Sequence, residues 1–178
     1  MILGLDLSSS STGFGILDKE GKAIEYGQIR PSATQSHGAK YTFIANKVRD
    51  LIDEFGVKEV VLERYFVGGF KTQGTFICAE LRGCVKMIIA QEFPEVTIVE
   101  EIFPSSLKKI VTGNGKATKQ EVGEAILQKL SILYSNPKGT GKSKFTFNIG
   151  EDKYYDDTTD ALSLAYCHYI KGVPNEFI

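Results

Sequence analysis

Three short apolar runs fall within the first 29 residues, joined by brief polar turns, and this spacing constrains the fold more than any other feature. Residues 1–7 read as a central strand, 8–12 as a polar turn and 13–17 as a second strand. Residues 18–22 form a further turn, and 23–29 a third strand. Connections this short predict an antiparallel meander. Beyond it the period changes. Residues 41–55 carry Phe43, Ile44, Val48, Leu51, Ile52 and Phe55 at helical spacing, with Gly56 as a stop signal. A short β-branched strand is expected at 58–63 and another at 96–100, with a long helix at 75–93 between them. That helix is apolar on most faces, so it is expected to be buried in a core or against a partner. Helices at 104–111 and 119–133 flank the turn Gly113-Asn114-Gly115, and a last helix is expected at 157–170.

A meander followed by βα units predicts an α/β domain: a mixed five-stranded sheet, three antiparallel then parallel strands, flanked by helices on both faces. Residues 135–155 are rich in Gly, Lys and polar side chains. They are expected to form a long, mobile loop near the last helix, with one short strand at 145–149. At 178 residues, with no internal repeat and no linker, the chain is expected to be one domain spanning 1–178.

Asp6, Glu63, Asp157 and Asp160 each sit at the edge of an apolar segment. Carboxylates at two strand ends and a helix start, drawn from the whole chain, suggest one site assembled by the fold. Packed carboxylates repel one another unless a cation compensates. Hard oxygen ligands favour Mg²⁺, with Mn²⁺ as a substitute, and such sites serve phosphoryl transfer or phosphodiester hydrolysis. Asp157 and Asp160, at i and i+3, share one face of the first helical turn. Simple capping by the helix dipole accounts for one of them but less readily for both, together with Asp156.

A net charge of −1 excludes nothing, because a nucleic-acid footprint can be local. Lys108, Lys109, Lys116 and Lys119 lie in a stretch without acids, as do Lys138, Lys142 and Lys144. Either run could be a solvated face. Tyr65, Phe66 and Phe70 beside Gly68-Gly69 could serve the core or stack on exposed bases. Gly139-Thr140-Gly141-Lys142-Ser143 imitates a phosphate-binding loop, but Asn136 stands where the first glycine belongs. Lysines on that segment contacting DNA backbone is the better reading. Cys78, Cys84 and Cys167 have no metal-ligand spacing and are expected to be reduced thiols of a cytoplasmic protein. No signal peptide or membrane span is expected.

Taken in order, these residues resemble the RuvC family of Holliday junction resolvases, within the ribonuclease H-like superfamily. The matching pieces are Ile2 through Ser10 with Thr12-Gly13-Phe14-Gly15, Val61 through Phe66, and Leu81-Arg82-Gly83. They continue through Lys108 to Gly115 with Lys119, and end in Asp157-Thr158-Thr159-Asp160-Ala161-Leu162. The resemblance implies that Asp6, Glu63, Asp157 and Asp160 are catalytic, metal-binding acids holding two ions per active site. It implies that Lys108 and Lys119 lie near the scissile phosphate, with Lys119 a catalytic residue that neutralises charge developing there, that Lys108, Lys109, Lys116 and Lys119 bind DNA, and that Phe66, with Tyr65 beside it, stacks on unpaired bases. It further implies a homodimer joined through the long helix. The expected substrate is branched DNA: four-way junctions, with forks and flaps as further candidates. The expected reaction is two-metal phosphodiester hydrolysis with paired nicks, in a bacterial cell or, for a phage-encoded member, an infected host. Between residues 133 and 156 the chain departs from the bacterial pattern, where a short link is usual. The rival readings are a fragment of an actin-like or sugar-kinase ATP phosphotransferase, suggested by the Asp6 hairpin, a non-catalytic junction-binding protein, and a nuclease acting on RNA–DNA hybrids.

Overall fold

A computed structural model describes residues 1–64, 73–139 and 145–172. Its main sheet takes strands β1 (Ile2–Asp6), β2 (Thr12–Leu17), β3 (Ala23–Ile29), β4 (Glu59–Glu63) and β5 (Thr97–Ile102) in the order β3-β2-β1-β4-β5. The first three are antiparallel, as their short turns require, and β4 and β5 join β1 in parallel. Helices α1 (His37–Phe55) and α2 (Gln73–Glu92) cover one face. The other face carries α3 (Pro104–Thr112), α4 (Lys119–Lys129) and α5 (Asp156–Gly172). The expected mixed sheet with helices on both faces is thus observed.

Strand alternation decides which side chains meet which helices. Leu3, Leu5, Val60 and Leu62 enter the core beneath α1 and α2. Ile2 and Val61 face α3–α5, and by the same period so do Gly4, Asp6 and Glu63. On this face α5 lies unusually close to the sheet. A methyl group on Gly4 would run into the Ala161 carbonyl oxygen, and one on Gly13 into that of Asp157. These glycines make room for the helix backbone, so the first turn of α5 sits directly against the end of β1.

The region after α4 departs from expectation. The helix ends at Lys129, with Ser131 at φ 54°. Of the stretch expected to be a long loop with one short strand at 145–149, that strand is observed as β7 (Thr146–Ile149), and β6 (Ser135–Lys138) and β8 (Asp152–Tyr155) flank it in an antiparallel sheet ordered β6-β7-β8. Phe145 and Phe147 are fully buried against Leu127 of α4. Their rings stack at 5.5 Å, and the Phe147 and Tyr154 rings stack at the same spacing. The alternation of Phe145 and Phe147 marked the central strand in the sequence, while the polar composition around it hid the two strands that pair with it. β8 leads straight into α5, so this sheet abuts the start of the helix that carries the final acids.

Candidate active site

Leu5 of β1 lies beside Leu62 of β4 in a parallel register, so Asp6 and Glu63 emerge together at the carboxyl ends of neighbouring strands. That edge is where open α/β sheets bind their ligands. Asp160, one turn into α5, joins them. Asp6, Glu63 and Asp160 line a cavity of about 340 Å³ with Lys108, Lys119, Pro104, Leu107, Val122 and Leu164. Asp157 does not line it. Its side chain is 9% exposed and its Oδ2 is buried without a hydrogen-bond partner among the described residues, yet its charge reaches Asp6.

The electrostatics are those of a crowded anionic pocket. Burial, then the charges of Asp160, Glu63 and Asp157, hold the Asp6 carboxyl well above the usual carboxylate range, against the pull of Lys119. Burial and Asp160 raise Glu63, while Lys119 and Arg82 oppose them. Asp160 is raised chiefly by burial, with Lys119 again opposing. Burial alone would lower the Lys119 ammonium, but Asp160 and Asp156 outweigh it and hold its pKa above the ordinary lysine value.

Lys119 is placed by a capping box. The Thr118 hydroxyl accepts from the Glu121 amide and the Glu121 carboxylate accepts from the Thr118 amide, which starts α4 at Lys119. From there Nζ donates to Asp160 Oδ2 at 3.0 Å and to Asp156 Oδ2 at 2.6 Å. Lys108 Nζ donates to the Ala117 carbonyl at 2.7 Å, closing the α3–α4 turn beside the cavity. Lys109 and Lys116 are exposed and do not line the cavity. Tyr65, Phe66 and Phe70 lie outside the described residues, as do Lys142 and Lys144.

Two residues outside the expected site set belong to this constellation. Asp156, 2% exposed, anchors Lys119; its signal in the sequence was an acid pair ahead of an apolar helix, where one cap suffices. Arg82 of α2 lines a small recess of about 40 Å³ with Asp6, Glu63 and Cys78. Its sequence signals were a cation in a helix that otherwise reads as core and its place in the family-like piece Leu81-Arg82-Gly83.

The donor set suits a divalent cation: hard carboxylate oxygens, one orphaned and buried, whose mutual repulsion a cation would relieve. Among the described residues no three acidic, imidazole or thiol groups already form a coordination shell. The positive charges lining the pocket are the Lys119 and Lys108 ammonium groups.

The family model for the crossover junction endodeoxyribonuclease RuvC matches residues 2–168. Similar curated proteins, all described as crossover junction endodeoxyribonuclease RuvC, include that of Protochlamydia amoebophila, 32% identical over 94% of this chain and 89% of its own length. That of Pseudothermotoga lettingae is 28% identical over 94% and 93%. The fold is similar to the Thermus thermophilus RuvC structure, with a TM-score of 0.69 at 18% identity, covering 94% of this chain and 92% of that one. The T. thermophilus RuvC in complex with a Holliday junction substrate gives a TM-score of 0.70 at 15% identity over 94% and 90%.

Proposed function

The chain belongs to the RuvC family of crossover junction endodeoxyribonucleases, and from that premise we propose that it resolves four-way DNA junctions by hydrolysing phosphodiester bonds at the cavity bounded by Asp6, Glu63 and Asp160. The observation that carries the reading is the convergence of these acids, from β1, β4 and α5, with Lys119 in one pocket. Asp6, Glu63, Asp157 and Asp160 are the residues that would hold divalent ions, with Mg²⁺ the expected metal and Mn²⁺ a substitute. Such ions, when bound, supply Lewis-acid polarisation of the phosphate and a bound water of lowered pKa.

The chain's own residues supply the rest. Lys119 brings a fixed positive charge to the mouth of the pocket, where charge accumulates on a phosphate under attack. Asp156 holds that ammonium in place. Lys108, tied to the Ala117 carbonyl, adds a second cation on the same wall. The dry wall of Leu107, Val122 and Leu164 lowers the local dielectric and strengthens each of these interactions.

A junction has two strands to cut, so a two-fold dimer presenting two pockets suits it. The outward face of α2 is the proposed dimer surface: Phe76 and Met87, each 56% exposed, lie there with Ala79, Gly83 and Ala90 at helical spacing.

The test is cleavage of labelled four-way junction, fork, linear duplex and RNA–DNA hybrid with Mg²⁺, Mn²⁺ or EDTA. Paired symmetric nicks in the junction, lost in EDTA, are expected. Cleavage confined to the hybrid would overturn the reading in favour of another ribonuclease H-like activity. Tight junction binding with no cleavage of any substrate would replace it with a binding protein.

A further inference from the structure

The second sheet has an outer face that the pocket does not use. Register places Lys138, Thr146 and Tyr155 in one cross-strand row, and Ser135, Asn148 and Lys153 in the next. An irregularity between Ser135 and Lys138, with Asn136 at φ 50°, lets both β6 residues share that face. The alternate positions of β7 and β8, Phe147 and Tyr154, turn inward. Arg30, just past β3, completes the face: its guanidinium carbon sits 4.2 Å from the centre of the Tyr155 ring, and Lys153 Nζ lies 5.3 Å from the same ring. One tyrosine thus holds two cations by cation–π contact.

Among the described residues the outward rows of this sheet carry no acid, while Arg30 also borders a groove with Asp50 and Glu54 of α1. The acids of this sheet, Glu151 in the β7–β8 turn and Asp152 at the start of β8, lie at the end away from Tyr155. None of the ion pairs among the described residues includes Arg30, Lys138 or Lys153. All three are exposed. Cations presented without carboxylate partners, beside Ser, Thr and Asn side chains, are the groups that contact phosphate oxygens while reading no base. The location gives the face its meaning. Tyr155 immediately precedes Asp156, the residue bonded to Lys119. Gln28 donates to the Thr158 hydroxyl at 2.9 Å, which pins the Arg30 end of β3 to the first turn of α5.

We propose that the outer face of the β6-β7-β8 sheet, through Arg30, Lys138 and Lys153, binds the DNA phosphate backbone of a junction arm beside the active-site pocket. The inference rests on the junction-resolvase reading and extends it to a surface carried by the β6-β7-β8 segment. Because the contacts are to phosphates, they add affinity without sequence preference and give way to salt.

The test compares the full chain with Arg30→Ala, Lys138→Ala, Lys153→Ala and the triple variant. Lys22→Ala, at the turn on the opposite end of the main sheet, serves as a control. Affinity for a four-way junction and for linear duplex is measured in EDTA between 50 and 200 mM salt, and single-turnover cleavage at saturating protein in Mg²⁺. Each substitution should flatten the slope of log affinity against log salt by about 0.9, and the triple variant by about 2.7. The wild-type should then lose roughly 40-fold more affinity than the triple variant across that salt range. Cleavage at saturation, thermal melting and Lys22→Ala should be unchanged. An unaltered salt slope in the triple variant, with wild-type binding and cutting junctions normally, overturns this inference alone. Failure of the wild-type to bind or cut any branched DNA overturns the functional reading as well.

Discussion

At the scale of single residues, the pocket is a balance between crowded carboxylates and the ammonium groups of Lys119 and Lys108. Asp6→Asn should abolish cleavage while leaving junction binding intact; metal-dependent cleavage retained by that variant would remove Asp6 from the site. Asp156→Asn tests whether anchoring Lys119 matters, since it keeps the side chain's size and removes its charge. Partners one step from the reacting groups typically matter by 10–100-fold, so a loss of about that size in the single-turnover rate is expected, with junction affinity unchanged. A rate equal to wild-type would leave Asp156 a structural role only. The raised acids also give a pH signature. Between a carboxyl's ordinary pKa and its raised one, the folded protein holds more protons than the unfolded chain, so stability rises as pH falls through that window. Metal-free protein should therefore melt at higher temperature near pH 5 than at pH 8. Added Mg²⁺ binds the ionised acids, so its stabilising shift should be larger at pH 8. Calorimetric scans with and without Mg²⁺ check both signs; a Mg²⁺ shift that grows on acidification would refute the assignment of these acids as its ligands.

At the scale of elements, the close packing of α5 on β1 and β2 is what turns separate acids into a site. Gly4 stands under the Ala161 carbonyl and Gly13 under that of Asp157. Gly13→Ala should lift the first turn of α5, at a cost of about 1–3 kcal/mol in stability, and cleavage should fall further than that loss of folded protein explains. Denaturant unfolding paired with cleavage by the folded fraction distinguishes the two effects. The capping box of α4 works in the same way. Thr118→Ala removes the hydroxyl that starts the helix at Lys119, which costs about 1 kcal/mol and loosens the ammonium at the pocket.

At the scale of the whole molecule, one exposed surface bears on assembly. Phe76 and Met87 stand out on a helix that buries Leu81, Val85 and Ile89 against the core. A charge at the centre of that stripe, Met87→Glu, should yield a monomer by light scattering. Junction cleavage should then give single, uncoupled nicks in place of paired ones. A dimer that persists in this variant, with paired cuts, would move the interface elsewhere.

The sequence by itself determined the meander, the parallel strands that follow it and the positions of the acids at element edges, because these depend on local period and turn length. Asp6 and Glu63 were legible as a pair because each ends an apolar strand. Three things were decided only by tertiary structure. The strand at 145–149 was legible, but its partners β6 and β8 formed only because Phe145 and Phe147 bury two rings against α4, a long-range contact that composition averages away. Asp156 and Arg82 came beside the site acids through partners distant in sequence, Asp156 by bonding Lys119 and Arg82 in a separate recess with Asp6 and Glu63. Asp160 reached the cavity while Asp157 stayed at its buried margin. That last distinction comes from how deeply Gly4 and Gly13 let α5 settle, a clearance between backbones that neither segment encodes alone.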